Sequence, residues 1–142
     1  MAESASMMEL HAILVDACKG YDEAIQAAEK PQLKALFEKA KSVHEKAHAE
    51  VHAILSARAA NPDYEASFLT PVHKVAISTR AAGMGPVESF LSSFVSGEGG
   101  IVEAYNKAIH ANDDDESVCD VLQRQKSLFV EFAGELQRES TP

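Results

Sequence analysis

The chain has no tryptophan, two cysteines among 142 residues, and 13 basic residues against 22 acidic ones. Each shortage removes a class of explanation. Cys18 and Cys119 form no CxxC pair and are too few for a disulfide framework, so they read as reduced thiols on helix flanks. The formal charge of −9, with lysines and arginines scattered among acids, argues against nucleic acid, whose phosphates need a clustered basic face. An anionic membrane surface is disfavoured for the same reason. Apolar runs extend over only a few residues, too short for a spanning helix. Met1 to Met8 carry neither the basic nor the apolar region of a signal peptide. The chain therefore reads as cytoplasmic, with neither membrane nor nucleic acid as a partner.

Alternating β-branched runs are also missing, while apolar residues recur at spacings of three and four almost everywhere, which predicts an all-α protein. The length suits one domain, residues 1–142. Four long helices are expected. The first runs from about Ala5 to Glu29, with Leu10, Ile13, Leu14, Ala17, Tyr21, Ala24 and Ala28 facing inward. The second starts at Pro31, a favoured first-turn residue, and runs to about Ala59. The short junction at Lys30-Pro31 makes these two an antiparallel hairpin. A third helix from about Pro86 to Ala111 and a fourth to about Arg138, capped by the acidic run Asp113 to Asp115, make a second. Between them, residues 60–85 open with a turn at Asn61-Pro62-Asp63 and include a short helix after Thr70-Pro71. A connection this long can travel the length of a bundle, so the expected order is two hairpins joined by a crossover.

One residue breaks the apolar pattern. At about 100° per residue, Val87, Phe90, Leu91, Phe94, Ile101, Val102, Tyr105, Ala108 and Ile109 share a face of the third helix, and Glu98 lies near its centre. An ionised carboxylate there needs a cation, a donor or a proton. The same projection turns Gln125 inward on the fourth helix, among Val118, Val121, Leu122, Leu128, Phe129, Phe132 and Leu136. On the second helix His44 lies inside the stripe of Leu33, Leu36, Ala40, Val43, Ala47, Val51 and Ile54, and His48 sits at its border. Asp16, Asp22 and Glu23 fall well off the stripe of the first helix. With a crossover topology, a rise of about 1.5 Å per residue puts Tyr21, Glu98, His44 and Gln125 within roughly 8 Å of one level. Tyr21, Glu98 and Gln125 are therefore the expected buried polar cluster. Gly97, Gly99 and Gly100 surround Glu98 at about 1 kcal/mol each relative to alanine, for a close helix contact, a bulge or a break.

The hairpin, crossover and hairpin pattern, with the stretches Pro31-Gln32-Leu33-Lys34-Ala35-Leu36-Phe37 and Gly97-Glu98-Gly99-Gly100-Ile101-Val102-Glu103-Ala104-Tyr105, resembles a bacterial branch of the ferritin-like superfamily related to di-iron carboxylate proteins. The resemblance implies a ferritin-like four-helix bundle, with Glu98 at the single-glutamate position of the third helix and Glu45-Lys46-Ala47-His48 in the place of a Glu-x-x-His. The fourth helix has Gln123-Arg124-Gln125-Lys126 where a second such motif belongs, and the first has no centred glutamate. Without those carboxylates the charge of two iron ions is not offset, which argues against a complete di-iron site.

Two functions remain. One is a non-catalytic, self-associating bundle, a homodimer, whose buried Tyr21, Glu98 and Gln125 fix helix register. The other is a metal-binding protein holding one transition ion, iron, zinc or copper, on His44, His48 and Glu98, since histidines at i and i+4 can chelate from one helix face. His11, His73 and His110 read as isolated boundary or surface residues. Ser78, Ser92, Ser93 and Ser96 lie in no nucleophile motif, and Cys18 has no histidine near it in sequence.

Overall fold

The computed structural model describes residues 2–58 and 91–140. They form four helices: α1 (Ala2–Ala27), α2 (Pro31–Ala57), α3 (Leu91–Ala111) and α4 (Glu116–Ser140). The expected turn at Asn61-Pro62-Asp63, the short helix after Thr70-Pro71 and the first residues of the expected third helix lie outside the described residues.

The helix ends follow from local chemistry. Lys30 is extended, at φ −87° and ψ 127°, and Pro31 opens α2, where its missing N–H leaves nothing unpaired. At the second hairpin Asp115 is the capping residue. Its Oδ1 accepts from the Val118 N–H at 3.2 Å and from the Ser117 hydroxyl at 3.2 Å. Asn112 closes α3, its side-chain amide donating to the Ala108 carbonyl at 2.6 Å. Arg58, just past α2, grips this turn by donating to Asn112 Oδ1 at 2.8 Å and Asp115 Oδ2 at 2.9 Å. Gly97, Gly99 and Gly100 neither break nor bend α3 into two, since the helix runs through them. A Cβ on Gly99 or Gly100 would meet nothing within 4 Å, so close helix approach is not their purpose.

Ion pairs record how the helices run. Lys39 meets Glu135, Glu50 meets Arg124, and Arg58 meets Asp115. Numbers rise along α2 as they fall along α4, so these two are antiparallel. Phe37 meets Phe94, and His44 meets Glu98, so α2 and α3 run the same way. Each hairpin is antiparallel within itself, with Asp22 of α1 on Lys41 of α2 at 2.9 Å.

The shared core is apolar and aromatic, with Phe37, Leu55, Tyr105, Leu122 and Phe129 sealed from solvent. On α2 the buried residues are Leu33, Phe37, Ala40, His44, Ala47, Val51 and Leu55. That face is turned by about 40° from the expected one, which included Leu36, Val43 and Ile54 at one edge, because burying Phe37 removes more apolar area than burying Leu36. The turn brings His44 from the edge of the stripe to its middle. Leu128, expected inside, is instead 45% exposed. Phe129 and Phe132 take the core positions and leave Leu128 on the flank.

Candidate functional site

Glu98 is 1% exposed and His44 is fully buried. Three helices meet at one carboxylate oxygen. The Tyr21 hydroxyl, from α1, donates to Glu98 Oε2 at 2.6 Å, and His44 Nε2, from α2, lies 2.9 Å from the same atom. The other imidazole nitrogen, Nδ1, is 2.6 Å from the Ala40 carbonyl. A carbonyl only accepts, so Nδ1 carries a hydrogen. Nε2 and Oε2 then hold one proton between them. On nitrogen it gives an imidazolium facing a carboxylate; on oxygen it gives neutral imidazole facing a carboxylic acid. Either way the pair buries no net charge, which removes most of the cost of placing Glu98 in an apolar stripe.

Aromatic rings wall the pair. Tyr21 packs on Phe94 at 5.2 Å and on Phe37 and Phe132 at 5.8 Å, while His44 lies edge-on to Phe129 at 4.6 Å. In these surroundings a hydrogen bond is strong and an unpaired polar atom is costly. Among the described residues, Glu98 Oε1 is buried without a hydrogen-bond partner.

Tyr21 and Glu98 are in contact, and Gln125 does not join them. Tyr105 donates to Gln125 Oε1 at 2.7 Å, and the Gln125 amide donates to Glu50 Oε1 at 2.9 Å and to the Ala47 carbonyl at 3.5 Å. Gln125 therefore belongs to a second polar layer, which ends on Arg124 at 2.7 Å from Glu50 Oε2. Burial, then the charges of Glu50 and Glu98, push the Tyr105 phenol well up from its ordinary value, so it remains a donor. Glu50 is held down, first by Arg124.

Of the three metal candidates, His44 and Glu98 are in contact and His48 is elsewhere. The His48 ring packs edge-on against His11 at 5.5 Å. His48 lies one turn along α2 from His44 and about 40° further round the helix, on the side that faces α1, where Phe37 meets Tyr21. Glu45 is exposed, so the Glu-x-x-His spacing does not converge on the core. Among the described residues no three His, Cys, Asp or Glu side chains converge as a formed metal-binding group.

Sequence reading passed over two residues. His11 is not an isolated surface residue; it is 4% exposed and touches both His48 and His52, the latter at 5.4 Å. The hairpin register that sets Tyr21 beside Phe37 and His44 also sets His11 beside this pair, and it was the available signal. Asp16, expected off the stripe, is buried too.

No helix among the described residues is long and apolar enough to cross a membrane. The model of the family described as Domain of unknown function (DUF2383) matches residues 2–111. No curated protein and no solved structure matches the chain.

Proposed function

We propose, for a chain that belongs to the DUF2383 family, a non-catalytic, self-associating four-helix bundle of ferritin-like topology whose Tyr21–Glu98–His44 network locks its two hairpins in register. The carrying observation is the convergence of Tyr21 and His44 on one oxygen of Glu98. A slip of either hairpin by one turn, about 5.4 Å, would break both contacts and strand a carboxylate in an apolar core. Single buried polar residues fix register and partner number in coiled coils by the same penalty.

Parallel α2 and α3 are what a ferritin-like crossover requires. Where such bundles put a second set of ligands, α4 turns Phe129 and Phe132 toward His44. The burial of both members of the His44–Glu98 pair supports a structural rather than catalytic role, because a substrate would have to open the bundle to reach them.

The test replaces all three polar groups at once, Tyr21→Phe with His44→Leu and Glu98→Leu. Removing a buried charged network completely is often neutral or stabilising by about 1–4 kcal/mol, so the melt should hold or rise. Register should loosen, seen as broadened amide resonances and mixed oligomers. A variant with a sharp, singly populated spectrum and the parent's oligomeric state would reject the reading.

One observation favours a second reading. The buried Oε1 of Glu98 lacks a partner among the described residues, as a ligand atom awaiting a mononuclear iron, zinc or copper ion beside His44 would. That reading requires Glu98→Gln to abolish stoichiometric binding in protein purified without an affinity tag.

A further inference from the structure

We infer that His11, His48 and His52 form a second, separate site, a binding place for a divalent transition ion of the zinc, copper or nickel class between α1 and α2. It shares no residue with the Tyr21–Glu98–His44 network and does not depend on the role proposed for that network. His11 comes from α1; His48 and His52 stand one turn apart on α2. The His11 ring centroid lies 5.5 Å from that of His48 and 5.4 Å from that of His52.

Those separations carry the argument. An imidazole bound to zinc at about 2.1 Å has its centroid roughly 3.2 Å from the ion, so two rings at the tetrahedral angle stand roughly 5.2 Å apart. Both observed separations lie within a few tenths of an ångström of this value, and they share one ring. The nitrogens are not yet gathered on a point. Since two of the three centroid separations already suit one ion and His48 and His52 share one helix flank, gathering the nitrogens asks first for rotation of rings.

Two further features suit a ligand. His48 Nδ1 is buried with no hydrogen-bond partner among the described residues, although its ring is only partly buried. A metal bond would satisfy that atom. His52 is also partly exposed, with Ser56 Oγ 3.4 Å from its Nδ1, a neighbour of the kind that holds the orientation of a ligating ring. Solvent thus reaches the two α2 histidines while His11 anchors the inner side. All-nitrogen donors select the later first-row ions, and the excess of acids in the chain favours a cation.

The full chain, purified without an affinity tag and stripped with chelator, is titrated with Co2+ and then Zn2+, followed by absorbance and calorimetry. One ion per chain is expected, at micromolar Kd or tighter, with the visible absorption of tetrahedral cobalt. His52→Ala, at a partly exposed position, should fold as the parent does by circular dichroism. It should weaken Zn2+ binding at least as much as loss of an outer partner does, about 10- to 100-fold. His11→Gln should do the same, and Glu98→Gln should leave the affinity unchanged. Absence of stoichiometric binding would overturn the inference, as would binding unaffected by the His52 and His11 changes. Loss of binding in Glu98→Gln alone would also overturn it, and would move the ion to the core.

Discussion

Tyr21→Phe removes one oxygen and leaves the ring, which is packed on Phe37, Phe94, Phe132 and His44 at centroid distances of 5.0–5.8 Å. The cost should therefore be that of a hydrogen bond rather than of a cavity. The bond is short, 2.6 Å, and is made to an oxygen that shares a proton with imidazole. Hydrogen bonds to charged partners contribute about 1.5–3 kcal/mol net. For a chain of this length that corresponds to a drop in Tm of roughly 5–10 °C. Tyr105→Phe is the internal standard. Its hydroxyl, also buried, donates at 2.7 Å to a neutral amide oxygen and should cost only about 0.5–1.5 kcal/mol. Urea unfolding of both variants, and of a Tyr21→Phe/Glu98→Gln cycle, measures the terms separately. Glu98→Gln should also destabilise, since one amide oxygen cannot serve Tyr21 and a neutral His44 Nε2 at the same point. The two changes should couple by more than about 0.5 kcal/mol. A Tyr21→Phe variant within about 0.5 kcal/mol of the parent, or an additive cycle, would refute the claim that these groups form a single network.

Gly99→Ala and Gly100→Ala, at exposed helical positions where a Cβ meets nothing, should each stabilise by about 0.5–1 kcal/mol in a thermal melt. Loss of stability would mean that α3 needs the flexibility. Burial, followed by the charge of Glu45, pushes the Cys18 thiol up to about 12. In a Cys119→Ser background at pH 8, Cys18 should then react with a disulfide reagent roughly a hundredfold more slowly than a free thiol near 8.5, the loss of thiolate being partly offset by its greater nucleophilicity; a rate near that of free cysteine would contradict its partial burial. Asp115 is held below its ordinary value, first by the Val118 N–H and then by Arg58. The unfolded chain binds this proton more readily, so the contribution is present above the usual carboxylate pKa of about 3.9 and is lost as pH falls through the lower folded value. Asp115→Asn keeps a capping side chain, so urea midpoints for it and the parent should differ above that window and converge in acid; a constant gap would assign the effect to geometry instead of charge.

The helical class, the two hairpins, the Pro31 start, the acidic cap and the anomaly of Glu98 were all legible from residue order. Each depends on spacings of one to four residues, where backbone geometry leaves little freedom. The partners of Glu98 were harder. Tyr21, His44 and Gln125 all fall near its level; His44 reaches it and Gln125 pairs with Tyr105 and Glu50 instead, because α2 chose to bury Phe37 over Leu36 and rotated by less than half of one residue's step. That choice depends on how much apolar area the other three helices can cover, which no local pattern records. Tertiary packing also set His48 and His52 against His11, which precedes them by 37 and 41 positions in the chain. Periodicity alone thus determined which faces of this protein turn inward to within about 40°. Only tertiary packing decided which polar side chains meet there, because a hydrogen bond is won or lost over less than an ångström.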